Sequence, residues 1–471
     1  MIDLKNLTIK KAHNALKAGE YSVRELVDAY LAEIEKKNWG DDGLNAYLHL
    51  FDDIDERVAI AQKMFDDGSA TLMTGIPMGL KAIIAKKGQI TNASSKILEN
   101  YKATYSATVV ERLEAEGVIF LGSTNTDEFA MGGSTENSAF GVTKNPASVD
   151  RVAGGSSGGS IAAVVSDMAL VALGTDTGGS IREPASFCGA VGMKPTYGAV
   201  SRYGAYPMGS SFDQISPTAK TVEDAEIVLH AMRGEDEYDM QALPKSVWSK
   251  DYSKETYNIA IPKALVDGST EEVKKVFYDF VEKIKEAGHS IEEIDIPILD
   301  TVLAIYYVLI PAEVSSNLAR YDGLRYGEKV SGGGLWETYK KTRGEKLGDE
   351  VKRRIMLGTY VLSAGYADKY YEKALALREQ LKAELKKVFE KYDFIATPTA
   401  PTVAPKIGEL GSNPMQEYLM DIFTVTTNTA GIPAISLPVG TANDGLPVGG
   451  QLMAEWERDD ALFDIAKKLI L

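Results

Sequence analysis

The first part of the chain contains amphipathic segments in which apolar residues recur every three to four positions. Ser22-Val-Arg-Glu25 has the pattern of a capping box, and the apolar stripe that follows it predicts a helix ending near Asn38. A second amphipathic segment covers about residues 53–66. Residues 75–85 form a short apolar run entered from a turn, which is typical of a buried strand, and this run carries the charged residue Lys81.

Helix-like and strand-like segments then alternate along most of the chain. Residues 108–116 have helical periodicity and precede the short apolar run 118–122. Helices are also predicted from Thr221 to about Arg233 and over 269–288, where Ser269-Thr-Glu-Glu272 has the pattern of a capping box. The later strands are predicted at 259–262, 290–296, 394–397, 434–437 and 448–453. This alternation predicts an α/β fold.

The chain shows no feature that would divide it into separate domains. Residues 306–390 are mostly helical by periodicity, with Ser331-Gly-Gly-Gly334 as a flexible joint, and no internal repeat or Pro/Gly-rich linker interrupts the pattern. We therefore predict a single domain over residues 1–471. Its parts are expected to be an N-terminal helical part at about 1–70, a core that carries the chemistry at about 71–235, a helical, substrate-contacting part at about 300–392, and strands returning to the sheet at 393–471.

Composition and charge exclude several classes of protein. The 471 residues are 44% hydrophobic and 25% charged, as in an ordinary globular protein, and 51 basic against 67 acidic side chains leave a net charge of −16. Binding to nucleic acid or to anionic membranes depends on Lys and Arg, so this surface fits neither. The single cysteine, Cys188, excludes an internal disulfide framework and a Cys-rich metal site, and it fits a reducing, cytoplasmic compartment.

Membrane and export signals are also missing from the pattern. Residues 1–7 lack the apolar run of a signal peptide, and Asp167 interrupts the best candidate for a long apolar run, Ile161–Leu173. We therefore expect a protein that is neither exported by such a signal nor in contact with a membrane.

The segment most typical of a functional site runs from Gly154 to Ser180. Seven of its 27 residues are glycine, against 43 in all 471. Glycines cluster where backbone must approach a ligand closely, and bare backbone amides there can stabilise an oxyanion. A flexible linker is disfavoured because apolar stretches lie between the glycines, and a phosphate loop is disfavoured because the chain has no Gly-Lys dipeptide.

Serine chemistry is the third interpretation of this segment. Gly154-Gly-Ser156-Ser-Gly158 matches a nucleophile elbow, but residues 145–151 before it do not have the pattern of the required strand. None of the four histidines lies in a Gly- or Ser-rich motif, which disfavours a Ser-His-Asp mechanism. A lysine that burial keeps neutral can serve as base instead, and Lys81 has the most apolar setting. Its spacing is equally consistent with a strand-edge lysine that reaches water.

These residues resemble the amidase signature family. The match runs through 154–160 and 174–185, and it places Lys81 where that family has its strand lysine. Five further stretches resemble the glutaminase subunits of tRNA-dependent amidotransferases within that family, and they are 93–100, 124–140, 194–203, 315–323 and 350–358. The resemblance covers nearly the whole chain. It implies an α/β fold with a large central mixed β-sheet covered by helices on both faces.

The resemblance implies a Lys–Ser–Ser triad, which maps onto Lys81, Ser156 and Ser180, with the middle serine in a cis peptide. Ser180 would attack the side-chain amide of glutamine, and Ser156 would relay its proton to neutral Lys81. The proton would return to the leaving ammonia, and water would then hydrolyse the acyl-enzyme to glutamate.

The same resemblance implies where the substrate is held. Backbone amides from Thr177 to Ser180, including those of Gly178 and Gly179, would form the oxyanion hole. The family's contacts to the amino-acid end of glutamine map onto Tyr307, Arg354 and Asp421, with the guanidinium for the α-carboxylate and the carboxylate for the α-ammonium. Arg354 is preferred to Arg353 by motif alignment alone, and ordinary core or surface positions are the alternative for all three residues.

As a function, the resemblance implies a glutaminase subunit of a heterotrimer with subunits B and C. The assembly would use ATP and Mg in a partner subunit to convert Glu-tRNA(Gln) to Gln-tRNA(Gln), and the tRNA would be held through that partner. This chain itself would hold no metal or cofactor. With a net charge of −16, the isolated chain is expected to have no appreciable affinity for tRNA.

Two alternatives remain beside this function: a stand-alone amidase acting on another small amide, and a structural component of the assembly whose site has decayed. The second is motivated by Ala82-Ile83, which replace the Asp-Asn that usually follows the family's lysine. The chain also ends at Leu471, somewhat short of the usual carboxyl-terminal helix.

Overall fold

Short, mostly buried segments form the strands of the protein. The computed structural model describes residues 2–250, 252–410 and 414–469. Its strands are β1 (Tyr47–Leu50), β2 (Pro77–Lys81), β3 (Ile119–Thr124), β4 (Lys144–Asn145), β5 (Ser148–Val152), β6 (Val171–Thr175), β7 (Val191–Lys194), β8 (Ile215–Ala219), β9 (Asn258–Pro262), β10 (Ser290–Ile294), β11 (Phe394–Pro398), β12 (Ala434–Thr441) and β13 (Pro447–Ala454).

Helices connect these strands along the chain. They are α1 (Ile9–Ala18), α2 (Val23–Lys37), α3 (Ile54–Asp66), α4 (Thr108–Ala115), α5 (Gly158–Val165), α6 (Arg182–Cys188), α7 (Val222–Met232), α8 (Lys263–Val266), α9 (Glu271–Glu286), α10 (Val302–Asn317), α11 (Leu335–Lys346), α12 (Asp349–Val361), α13 (Tyr371–Phe389), α14 (Pro414–Met420), α15 (Val425–Ala430) and α16 (Asp459–Leu469).

An 11-stranded mixed sheet contains strands from both the first and the last part of the chain. Its strand order is β1-β3-β2-β6-β8-β7-β12-β13-β11-β9-β10, while β4 and β5 form a separate hairpin. The pairs β2·β3, β2·β6, β9·β10 and β9·β11 are parallel and the others are antiparallel. The predicted α/β fold with a large mixed sheet is confirmed. The division into four parts stays a prediction.

The sheet brings two distant segments together where the chemistry is predicted. Strands β2 and β6 are parallel neighbours, with Leu80 of β2 opposite Leu173 of β6. Parallel neighbours end at the same edge of a sheet, so Lys81 at the end of β2 lies beside Thr175 at the end of β6. The segments that follow both strands therefore meet at this edge.

The predicted helix starts are correct in one case and wrong in another. The capping box before α2 is present, because the Ser22 hydroxyl accepts from the Glu25 amide and the Glu25 carboxylate accepts from the Ser22 amide. The box predicted at Ser269 is wrong. Helix α9 begins after Thr270 and no side-chain cap forms there, because the Ser269 amide, from which the Glu272 carboxylate would accept in a capping box, donates to the carbonyl of Val266 at 3.0 Å.

Strand β2 is shorter than the apolar run that predicts it. The run extends to Ala85, but the strand ends at Lys81 because the chain turns there. The amide of Ile84 donates to the carbonyl of Lys81 at 2.9 Å and closes this turn. Apolar composition alone does not distinguish the strand from the turn, since the residues of the turn are as deeply buried as those of the strand.

One described segment, Pro297–Arg320, is long and apolar enough to cross a membrane by length and composition. It has a mean hydropathy of 1.6, and 56% of its most apolar window is buried inside the protein. It includes α10, which packs against α12, α13 and α15. Such packing is typical of a core helix. The run named from the sequence, Ile161–Leu173, is divided between α5 and β6.

Candidate active site

Lys81 is completely buried at the edge of the sheet where β2 ends. Its Nζ lies 2.8 Å from each of three hydroxyl oxygens, those of Ser156, Ser157 and Thr175. The alternative of a strand-edge lysine whose ammonium reaches water is therefore wrong. Its hydroxyl partners come from the segment after β5 and from the end of β6, and the spacing of the sequence could not show these contacts.

Burial changes the charge state of this lysine. Transfer of an ammonium from water into the protein is costly, and this lowers the pKa of Lys81 to about 7, although the negative charges of Asp127, Asp176 and Asp213 act in the opposite direction. At neutral pH a large fraction of the lysine is therefore an uncharged amine with a free lone pair.

The hydrogen bonds around Nζ favour one direction for proton transfer. A neutral amine has two N–H donors and one lone pair, so one of the three neighbouring hydroxyls must donate to it. The Ser157 hydroxyl already donates to the carbonyl of Thr175 at 3.0 Å, so it accepts from Lys81. Ser156 can then donate to the lone pair, which is the arrangement that a base requires.

The two Gly/Ser-rich segments meet beside Lys81. The peptide bond between Gly155 and Ser156 is cis, as the resemblance implies. Ser156 is fully buried, whereas Ser180 is 8% exposed. The amide of Ser157 donates to the carbonyl of Ser180 at 3.1 Å, so the backbone holds the two segments together.

The turn before Ser180 has no room for side chains. A methyl group on Gly178 would lie 2.4 Å from the hydroxyl of Tyr306, and one on Gly179 would lie 2.4 Å from the hydroxyl of Thr424. Gly179 also has a φ of +138°. Both glycines are therefore required by close approach, and the Thr424 hydroxyl further fixes the turn by donating to the carbonyl of Gly178 at 2.6 Å.

The backbone amides of this turn are not equivalent. The amide of Gly179 donates to the carboxylate of Asp176 at 3.0 Å, so it is occupied in this structure. Within the described residues, the amides of Thr177, Gly178 and Ser180 have no hydrogen-bond acceptor. These three are the amides free to face an oxyanion.

A buried ion pair that the sequence reasoning missed supports the turn. Both oxygens of Asp176 accept from the fully buried guanidinium of Arg182 at 2.9 Å, and the amide of Asn428 donates to the same carboxylate at 2.8 Å. Burial alone would raise the pKa of Asp176, but Arg182 outweighs it and the pKa falls to about 2. The signal was present, since both charged residues lie within or directly after the glycine-rich segment.

The three residues predicted to hold the amino-acid end of a substrate lie together. The Tyr307 hydroxyl donates to Asp421 at 2.7 Å, and the guanidinium of Arg354 lies 5.6 Å from the ring centre of Tyr307. The Tyr418 ring, which sequence reasoning missed, stacks on Tyr307 at 4.1 Å and also faces Arg354. A guanidinium and a carboxyl group thus both lie beside Tyr307.

The structure distinguishes Arg354 from its neighbour. Arg354 is 4% exposed and its Nε donates to Glu350 at 2.7 Å, whereas the side chain of Arg353 is 41% exposed. Burial raises the pKa of Asp421 to about 7, against the hydrogen bond from Tyr307 and the charge of Arg354, which lower it. The pocket therefore contains one permanent positive charge and one carboxyl group whose charge depends on its surroundings.

Ala82 and Ile83 do not disturb the lysine that precedes them. Both are buried, and their carbonyls accept from the amides of Ala93 and Tyr206 at 2.8 and 3.0 Å. Ile83 lines a small cavity together with Thr175 and Thr177. The three hydroxyl contacts of Lys81 are complete with these apolar neighbours, so the site has not lost its base.

The histidines have partners elsewhere. His13 packs near Phe65, His49 contacts the carbonyl of Ile90, His230 pairs with Asp460, and His289 accepts from the amide of Tyr257. Among the residues that the structure describes, no three His, Cys, Asp or Glu side chains are grouped so that they could hold a metal ion.

Comparison with known proteins shows the relationship behind this geometry. The sequence profile of the family described as Amidase matches residues 25–463. The chain belongs to the amidase family. The predicted resemblance is thus confirmed, and so is the expectation of amidase chemistry. The buried Lys81 beside Ser156 and Ser157 is suited to that chemistry.

Individual relatives within the amidase family extend over the whole chain. The chain is 47% identical over 456 residues to the A subunit of glutamyl-tRNA(Gln) amidotransferase from Ruminiclostridium cellulolyticum, covering 95% of this chain and 93% of that protein. It is 46% identical to the corresponding A subunit of Caldanaerobacter subterraneus subsp. tengcongensis, covering 99% and 96%. The crystal structure of the same A subunit from Thermotoga maritima matches with a TM-score of 0.81 at 38% identity, covering 100% and 95%.

Proposed function

We propose that the chain is the glutaminase subunit of a glutamyl-tRNA(Gln) amidotransferase. It hydrolyses glutamine to glutamate and supplies ammonia for the conversion of Glu-tRNA(Gln) to Gln-tRNA(Gln). The observation that carries the proposal is the buried Lys81 amine beside Ser156, within a chain that is 47% identical over 456 residues to an A subunit of that enzyme. That pairing supplies the base which a serine nucleophile needs when no histidine is available.

The proposed reaction begins with Ser180. As its Oγ attacks the side-chain amide carbon of glutamine, its proton passes to Ser156, and the proton of Ser156 passes to the lone pair of Lys81. The tetrahedral intermediate collapses, the relay returns a proton to the leaving nitrogen, and ammonia departs. Water then attacks the ester on Ser180, activated by the same relay, and releases glutamate.

The negative oxygen of the intermediate is stabilised by backbone amides. We assign this role to the free amides of Thr177, Gly178 and Ser180, since the amide of Gly179 is held by Asp176. The Asp176–Arg182 pair positions this turn without touching the reacting atoms. The proposed oxyanion hole therefore contains three of the four amides that the resemblance implies.

The amino-acid end of glutamine occupies the pocket beside this turn. Arg354 pairs with the α-carboxylate, and Asp421, oriented by the Tyr307 hydroxyl, accepts from the α-ammonium. Because the α-ammonium is positive, its binding favours the charged form of Asp421. Two opposite charges on the substrate thus meet two opposite charges of the protein.

Partner subunits B and C complete the proposed assembly, with ATP and Mg used by a partner. One surface feature supports a partner: Met356, Leu357, Tyr360, Tyr366 and Tyr370 are all exposed, with Met356 66% exposed and the rings of Tyr360 and Tyr366 4.4 Å apart. Grouped exposed apolar side chains of this kind mark interaction surfaces. A cytoplasmic location fits the free, buried thiol of Cys188.

The function is tested by amidation of Glu-tRNA(Gln) with the chain co-expressed with its partner subunits. The assembled wild-type complex should use either glutamine or ammonium chloride as nitrogen donor. Ser180→Ala should abolish the reaction with glutamine and leave the reaction with ammonium chloride intact. Ser69→Ala, which changes an exposed serine after α3, is the matched control and should retain both reactions.

Two outcomes would contradict the proposal. If Ser180→Ala leaves the glutamine-dependent reaction unchanged, the chain has a structural role in the assembly and is not the glutaminase. If the isolated chain hydrolyses other small amides fully and the assembled complex uses no glutamine, the chain is a stand-alone amidase of the same family.

A further inference from the structure

Glu183 is a buried carboxyl group without a partner close to the proposed nucleophile. It lies in the first turn of α6, three residues after Ser180, and is 1% exposed. Neither of its carboxyl oxygens has a hydrogen-bond partner in the described parts of the chain. By contrast, the nearby buried carboxyls of Asp127, Asp176 and Asp421 each accept hydrogen bonds from the protein.

The Glu183 carboxyl lies beside Gly133, whose amide binds a second acidic residue. A methyl group placed on Gly133 would lie 3.4 Å from its Oε2, and the amide of the same glycine donates to Glu417 at 2.9 Å. Glu417 lies on α14, four residues before Asp421. The charge that acts most strongly on Glu183 is that of Asp421, followed by that of Glu417.

Two carboxyl groups that face each other away from water cannot both be charged unless a cation lies between them. Burial, followed by the charges of Asp421 and Glu417, raises the pKa of Glu183 well above its usual range, which favours the neutral form of the group. The positive side chain of this pocket, Arg354, is already paired with Glu350. A ligand that places a cation beside these carboxyl groups would therefore stabilise their charged forms.

We propose that Glu183 is a specificity residue that binds the α-ammonium of the amino-acid substrate together with Asp421. An ammonium has three N–H donors, so it can donate to both carboxyl groups at once. Glu183 thereby distinguishes an amino-acid amide from the same amide without its amino group. The inference rests on the proposed glutaminase function and adds a residue to its substrate pocket.

The test compares two substrates that differ in one group. Glutamine and 4-carbamoylbutanoate share the amide and the carboxylate, but the second lacks the α-amino group. In the protein with Glu183→Gln, which keeps the shape but not the charge, the ratio of kcat/KM for glutamine to that for 4-carbamoylbutanoate should fall about tenfold or more. The kcat/KM for 4-carbamoylbutanoate itself should stay within about twofold of wild type.

Three further measurements separate recognition from a structural effect. Glu183→Asp, which keeps a carboxyl group, should retain more of the glutamine preference than Glu183→Gln. Glu128→Gln is the matched control, because Glu128 is a buried carboxyl group whose partners, Ser95 and Gly348, account for both of its oxygens. It should leave the ratio unchanged. Direct binding of glutamine to the inactive Ser180→Ala protein should weaken about tenfold when Glu183→Gln is added.

The outcomes distinguish this inference from the function on which it rests. If wild-type protein and the assembled complex hydrolyse glutamine while Glu183→Gln keeps the wild-type ratio and the wild-type affinity, the inference is overturned and the glutaminase function stands. If neither the wild-type protein nor the assembled complex hydrolyses glutamine, both the inference and the proposed glutaminase function are overturned.

Discussion

The lowered pKa of Lys81 predicts a specific pH dependence of glutamine hydrolysis. The relay requires the neutral amine, so kcat/KM should fall about tenfold per pH unit below the pKa of about 7 and level off above it. A lysine with its ordinary pKa of 10.5 would be neutral in only about 0.03% of molecules at pH 7, whereas Lys81 is neutral in about half. Burial therefore makes the base available on the order of a thousand times more often.

The perturbation that tests this is Lys81→Met, which removes the amine and keeps the length of the side chain. We expect a loss in kcat of about a thousandfold, because general-base catalysis of this kind contributes about 10²–10⁴. At saturating glutamine, where the bound α-ammonium favours the charged form of Asp421, the residual kcat should have no pH limb near 7. The assay is release of glutamate from glutamine, followed between about pH 5 and pH 9 at saturating and at low glutamine concentration.

Lys194 provides the matched control for this experiment. It is a second fully buried lysine, and burial lowers its pKa to about 7 as well, but its Nζ donates to the carbonyl of Pro195 and not to the serine pair. Lys194→Met should therefore retain the pH limb. The reasoning is refuted if the wild-type profile is flat across pH 7, or if the limb disappears in Lys194→Met and persists in Lys81→Met.

Three other predictions follow from the same structure. Arg354→Lys should raise KM for glutamine roughly thirtyfold, since loss of a charged hydrogen bond costs about 2 kcal/mol, whereas Arg353→Lys, at the exposed neighbour, should change it less than about twofold. Gly178→Ala should lower kcat about a hundredfold, because its methyl group would displace Tyr306 and the turn that carries the amides. Gly333→Ala, where nothing lies within 4 Å of the added methyl group, should leave kcat unchanged, and initial-rate kinetics measure both variants. The isolated chain, with a net charge of −16, should show no binding to tRNA at physiological salt in a filter-binding assay, and tight binding would contradict the charge argument.

Much of the fold follows from local patterns in the sequence, because the spacing of apolar residues matches the periodicity of the helix or strand that they form. The stripe after Ser22 predicts α2, and the apolar run before Lys81 predicts β2. What local patterns miss is where elements end when neighbours intervene. Strand β2 ends at Lys81 although the apolar run continues to Ala85, and the amide of Ala85 donates to the carbonyl of Gly204, which is 119 residues away along the chain. No local pattern contains that contact.

The site shows the same limit more strongly. Spacing shows that Lys81 lies in an apolar segment but not how deeply it is buried, since that depends on β3 and β6 on either side. Arg353 and Arg354 are chemically identical neighbours, and only packing against Tyr307 and Tyr418 distinguishes them. The resemblance to the amidase family supplied the proposed roles of these residues.

The central claim is that Ser180 carries the acyl group of glutamine, and mass spectrometry tests it most directly. Wild-type chain, alone and assembled with its partners, would be mixed with glutamine, quenched in acid within its first turnover and digested. The account predicts a glutamyl ester on the peptide containing Ser180, and none in Ser180→Ala. An ester on Ser156 instead, or glutamine hydrolysis by the wild-type protein with no modified serine at any time point, would contradict it.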